Sequence, residues 1–158
     1  MAHPSAADSS ALYGFPKASR LLKHSAFQNV YEVGRRHFST NMTFFYLLQN
    51  ADSGSNVPKA QIGLTVGRAL GGAVDRNRLK RRFRDLVRHQ LGTLNTALAE
   101  RELVTEIVIN PKKAALTADH AALRTEVERG FKVIAAAKPL NTGTSSAPKA
   151  IREESKTQ

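Results

Sequence analysis

The chain has no cysteine among its 158 residues. That excludes disulfide scaffolds, thiolate zinc sites, iron–sulfur clusters and cysteine nucleophiles together, and it fits a reducing compartment. No run approaches the roughly 18–20 consecutive apolar residues of a membrane span. Residues 1–19 lack the apolar stretch of a secretory signal, so a cytoplasmic protein without a membrane partner is expected. Acidic residues are also scarce, 13 Asp+Glu against 24 Lys+Arg, for a formal net charge of +11. A compact enzyme for neutral or cationic small molecules has little use for such a field, and a self-associating scaffold would repel itself. A large polyanion is the simplest partner. Histidines 3, 24, 37, 89 and 120 are scattered without ligand or triad spacing, and no carboxylate pair stands out. No catalytic side chain and no protein metal site are therefore expected. Gly67-x-x-x-Gly71-Gly72 lacks the Gly-Lys-Ser/Thr ending of a phosphate loop and reads as a turn into a helix.

What is present suffices for one modest core, since 41% of the residues are hydrophobic. Residues 1–19, rich in Ala and Ser, read as a flexible arm, 20–137 as the folded domain, and 138–158 as a disordered tail. The tail is too polar to bury the apolar area that would offset ordering its backbone. There is no internal repeat. Ser25 and Gln28 have the form of a capping box, and Phe27, Val30 and Tyr31 follow at helical spacing. This predicts a helix over about 25–33, closed by Gly34. Met42 to Gln49 is dense in β-formers, with Phe44 and Tyr46 on one face and Thr43, Phe45 and Leu47 on the other. Asn50 to Pro58 reads as a hairpin loop. Gln61 to Gly67 alternates as a strand, with Ile62, Leu64 and Val66 on one face. A helix is predicted from about Gly72–Val74 to Gln90, then a strand from Leu103 to Ile109. Thr117 is placed to cap a last helix carrying Leu123, Val127, Phe131 and Ile134. This order implies an α+β sandwich, with helices on a small sheet.

The charge concentrates in one of these elements. Arg76, Arg78, Lys80, Arg81, Arg82, Arg84 and Arg88 lie within thirteen residues that hold a single acid, Asp85. At 100° per residue, Leu79, Phe83, Leu86 and Val87 form a narrow apolar arc. Asn77, Arg81, Arg84 and Arg88 form another, with Lys80 beside it, and Arg78 and Arg82 fill the far side. A merely solvated face would mix signs. Here Arg76–Lys80, Lys80–Arg84, Arg78–Arg82 and Arg84–Arg88 are like-charged i,i+4 pairs, each costing a few tenths of a kcal/mol. A bound polyanion neutralises that repulsion, and the excess of Arg over Lys suits planar phosphate recognition.

The stretch Arg68-Ala-Leu-Gly71-Gly72-Ala73-Val74-Asp75-Arg76-Asn77-Arg78-Leu-Lys80-Arg81-Arg82-Phe-Arg84 closely resembles the signature of the bacterial ribonuclease P protein component family. There, a basic residue and Gly-x-Ala-Val precede Arg-Asn-x-x-Lys-Arg-x-x-Arg. Arg20-Leu21 and Phe27-x-x-x-Tyr31-x-x-Gly34 match upstream, and the resemblance covers roughly residues 16–136. It implies the order α-β-β-β-α-β-α, a ribosomal-protein-like α+β sandwich with a left-handed β-α-β crossover. It implies a subunit of an endoribonuclease whose RNA subunit holds Mg²⁺ and removes the 5′ leader of precursor tRNA, with one protein per RNA. By the same resemblance, Arg68, Arg76, Asn77, Arg78, Lys80, Arg81, Arg82, Arg84 and Arg88 would bind the RNA subunit. Phe27, Tyr31, Thr43 and Phe45 would bind the leader, in a cleft between the first helix and the sheet.

By pattern alone Phe27, Tyr31 and Phe45 are core residues, because aromatics at helical or strand spacing usually pack. The resemblance makes them cleft wall, and both readings stand at this stage. Asp75 departs from the family pattern. It either favours the helix N-terminus through the macrodipole or pairs with a neighbouring Arg. The alternative function is a non-enzymatic RNA-binding or ribosome-assembly protein with the same kind of basic helix. A DNA-binding helix is disfavoured, because no heptad seam and no closely preceding helix-turn-helix partner accompany it.

Overall fold

A computed structural model describes residues 16–52 and 59–140. Its elements are α1 (His24–Val33), β1 (Arg35–Phe38), β2 (Met42–Asn50), β3 (Ala60–Leu64), α2 (Ala73–Glu100), β4 (Leu103–Pro111) and α3 (His120–Ala136). The order α-β-β-β-α-β-α is the expected one. The strands form one sheet in the order β1-β2-β4-β3. β2 is antiparallel to both β1 and β4, whereas β3 and β4 are parallel and joined through α2.

This strand order corrects the hairpin expected over Asn50–Pro58. β2 and β3 are not partners, because β4 lies between them. Residues 53–58 of that connection lie outside the described residues. β4 takes the centre because Ile107, Val108 and Ile109 are apolar on both faces and all three are buried. An alternating strand such as β3 can hold the edge.

The sheet has two unequal faces. Met42, Phe44, Tyr46, Leu48, Ile62, Ile107 and Ile109 point to the larger core, beneath α2 and α3. Leu47 and Val108 point the other way and form a small core with Val30 and Leu21, covered by α1. The face assignment of Phe44 and Tyr46 against Thr43, Phe45 and Leu47 therefore holds.

Helix boundaries differ from expectation in instructive ways. α2 runs ten residues past Gln90, about 42 Å in all at 1.5 Å per residue. Leu91, Leu94 and Leu98 continue the buried stripe of Leu79, Phe83 and Leu86. Their burial outweighs the poor helix propensity of Gly92 and Thr93. α1 starts at His24, so Ser25 lies inside it and the expected capping box does not form; Lys23 is the N-cap residue, with no side-chain cap. Thr117 does not cap α3 either. Its N–H bonds Ala114 O at the end of a 3₁₀ turn over Lys113–Leu116, and Asp119 occupies the N-cap position. β3 stops at Leu64, short of Gly67, although Thr65 N–H still bonds Ile109 O. A 3₁₀ turn at Lys17–Ser19, within the segment read as an arm, leads to a bridge between Arg20 and Ile62. Residues 1–15 and 141–158 lie outside the described residues.

Candidate RNA-binding surfaces

The basic helix is seated by its apolar stripe: Leu79, Phe83, Leu86 and Val87 are all buried. Its start is set by Gly71, at φ 130°, a conformation that L side chains rarely adopt. The turn before it, Arg68–Leu70, buries Leu70 and leaves Arg68 exposed. Arg76 Nε donates to Gly71 O at 3.1 Å, tying the first turn of the helix to that glycine. Asp75 stands in the first turn, where a carboxylate complements the helix N-terminus.

The cations of α2 then divide. Asn77, Arg78, Arg81 and Arg84 are exposed. Arg82 turns inward, donating from Nη2 to Ala118 O at 2.9 Å and from Nη1 to Ala115 O at 3.4 Å, so it holds the turn before α3. Arg88 pairs with Asp85, 2.6 Å away. Lys80 and Arg84 face the edge of β3 and line a groove there with Arg20 and Phe27.

A second surface lies on the α1 side of the sheet. Register places Arg36, Phe45, Val108 and Gly63 in one cross-strand row, and Phe38, Thr43 and Asn110 in the next. Tyr31 reaches across from α1. Its hydroxyl donates to Asn110 Oδ1 at 3.0 Å and lies 2.9 Å from Thr65 Oγ1. Its ring meets Phe45 edge-on at 4.8 Å between centroids, and the Arg36 guanidinium lies 5.6 Å from the Phe45 ring centre. Farther out, Phe38 is 64% exposed, with Lys112 Nζ 6.0 Å from its ring centre.

Phe27, Tyr31 and Phe45 are thus half-buried, packed against the small core and still partly open to solvent. Each ring packs one side against the small core, as the core reading expects, and leaves another side open. Thr43 is buried on this face. Arg36, Phe38, Thr65, Asn110 and Lys112 share the surface but were not singled out in the sequence. Strand parity with Phe45 and Thr43 was the available signal, and it needed the register of β1 and β4 to be known. Among the described residues no group of three or more His, Asp or Glu side chains is placed to hold a metal ion. No helix there is long and apolar enough to cross a membrane.

Solved ribonuclease P proteins share this fold. The Thermotoga maritima protein superimposes with a TM-score of 0.57 at 21% identity, over 72% of this chain and 94% of its own. A Staphylococcus aureus RNase P protein mutant gives 0.57 at 20% identity, over 82% of this chain and 97% of its own. The ribonuclease P family pattern matches residues 15–135. The ribonuclease P protein component of Desulforapulum autotrophicum is 32% identical over 122 residues, which is 77% of this chain and 93% of that protein. That of Symbiobacterium thermophilum is 35% identical over 116 residues, 73% and 90%. The chain belongs to the ribonuclease P protein family.

Proposed function

We propose that this chain is the protein subunit of a ribonuclease P. It binds the catalytic RNA through α2 and the 5′ leader of precursor tRNA through the α1-side face of the sheet. It thereby assists Mg²⁺-dependent endonucleolytic removal of the leader, in the cytoplasm, one protein per RNA. The observation that supports this most directly is the division of α2. One stripe is buried in the core, while Asn77, Arg78, Arg81 and Arg84 are exposed, as is Arg68 in the turn before the helix.

Cations placed between two polyanions do two things. They release condensed counterions, which adds affinity for the substrate. They also supply positive charge that Mg²⁺ would otherwise provide, so less Mg²⁺ is needed to hold RNA and substrate together. In this reading the Mg²⁺ ions that take part in cleavage are held mainly by the RNA subunit. The leader surface fits single-stranded RNA: half-buried Phe45 and exposed Phe38 offer ring surface, and Arg36 and Lys112 lie beside them, respectively, for the backbone.

The test is reconstitution. The purified chain alone should cleave nothing. Added to a ribonuclease P RNA at low Mg²⁺, it should raise the rate of 5′ processing of a precursor tRNA. No gain over RNA alone would overturn the proposal.

A further inference from the structure

We infer that the cavity between the first turns of α2 and the 3₁₀ turn Lys113–Leu116 receives one unpaired guanine of the RNA subunit. Asp75 accepts from N1–H and N2–H of that base, and Arg78 donates to its O6 and N7. The inference rests on the reading of α2 as the helix that faces that RNA, and it adds a base-specific contact which that reading does not contain.

The cavity holds about 280 Å³, near the small end of ligand pockets and enough for one flat base. Asp75, Arg78, Leu79 and Arg82 line it from α2, because residues three and four apart share one face of a helix. Leu116 and Thr117 close the other side. Arg82 is already held by the Ala115 and Ala118 carbonyls, so this wall is set before any ligand arrives. Asp75 and Arg78 are exposed, and among the described residues neither side chain has a hydrogen-bond or ion-pair partner. The carboxylate thus stands one turn from a guanidinium without pairing to it. An open acceptor and an open donor set lie side by side, with Leu79 and Leu116 supplying apolar surface between them.

This donor and acceptor set selects the base. A carboxylate is satisfied by two adjacent donors, and guanine alone of the RNA bases carries two on its Watson–Crick edge. Adenine, cytosine and uracil each offer one there, beside acceptors that a carboxylate repels. Guanine also presents O6 and N7, the acceptor pair that a guanidinium matches. In a duplex N1 and N2 are engaged by cytosine, so the occupant is unpaired. A phosphate does not suit the place, because Asp75 repels it. Asp75 departs from the family pattern, so the contact belongs to this chain and the RNA of its own organism.

The experiment uses the full chain with that organism's ribonuclease P RNA and kethoxal, which attacks N1 and N2 of unpaired guanines. The wild-type chain should protect one guanine that Asp75→Asn leaves reactive. Asp75 is exposed and its side chain bonds nothing, so the variant keeps the fold. Asp75→Asn should also bind the RNA about tenfold more weakly. A carboxylate with no base to bind predicts the opposite sign, since removing a negative charge strengthens attraction to a polyanion. Unchanged or tighter binding by Asp75→Asn, or a protection pattern that does not depend on Asp75, would overturn the guanine site and leave the role of α2 standing. Failure of the wild-type chain to bind the RNA would overturn both.

Discussion

Phe44 of β2 lies directly over Gly130 of α3: a Cβ added to that glycine would stand 2.4 Å from Phe44 Cζ and 2.5 Å from Cε1. The missing side chain is what lets α3 approach the sheet, with Phe131 meeting Phe44 at 6.2 Å between ring centres. Phe44 is fully buried and has nowhere to swing. Gly130→Ala should therefore destabilise the fold, by about 1–2 kcal/mol after about 1 kcal/mol of helix propensity is returned. Gly92→Ala, in α2 with nothing within 4 Å of the new Cβ, should stabilise by up to about 1 kcal/mol. Urea denaturation of the two variants checks the opposite signs.

A second prediction concerns the turn between β1 and β2. Glu126 of α3 accepts from Ser39 Oγ at 2.7 Å, from Asn41 N–H at 2.8 Å and from the Asn41 side-chain amide. Asn41 is buried, so its amide has little access to water. Glu126→Ala should cost about 2–3 kcal/mol, chiefly from leaving those donors without an acceptor. Denaturant midpoints measure the loss, and amide exchange at Asn41 should rise ahead of global unfolding.

The two kinds of arginine on α2 separate by experiment. Arg76→Ala with Arg78→Ala should lower the salt slope of RNA binding by roughly one to two units, at little cost to stability. Arg82→Ala removes the bonds to Ala115 and Ala118 carbonyls. It should cost about 1–2 kcal/mol of stability and leave the slope nearly unchanged. Equal slope changes for both would show that Arg82 also reaches the RNA.

Glu106 of β4 sits on the α1-side face, opposite Leu47 and Gln61 in register. Burial raises the pKa of its carboxyl above the ordinary range. The folded state then holds this proton more tightly than the unfolded chain does. Stability falls as pH rises from the unfolded pKa through the folded one, and the penalty is complete above it. Glu106→Gln should raise the unfolding midpoint at pH 7, and the gain should shrink toward pH 4. A gain independent of pH would assign the effect to packing.

Much of this molecule was legible in one dimension. Period-2 and period-3.6 patterns located six of the seven elements and assigned both faces of β2, because burial acts on every residue of a regular element in the same way. The crowding of Arg76 to Arg88 with one intervening acid marked the cation-bearing helix without any contact being known. The misses have local causes. β1 reads Arg-Arg-His-Phe and carries no apolar alternation; it is a strand because β2 offers it a ladder. α2 continues past Gly92 because Leu94 and Leu98 find a core that the sequence does not display.

What the sequence determined by itself is the chemistry of the partner and the register of the basic helix, since charge and helical period are properties of adjacent residues. What only the tertiary structure decided is how those charges are used. Arg82 turns to two carbonyls more than thirty residues away, while Arg84 turns to a groove whose floor comes from α1 and β3. It also placed β4 between β2 and β3, joining Thr43 to Asn110 and setting Tyr31 over both rows. Such pairings depend on which strand fills the centre of the sheet, a choice made by two-sided burial and not by any neighbour in the chain.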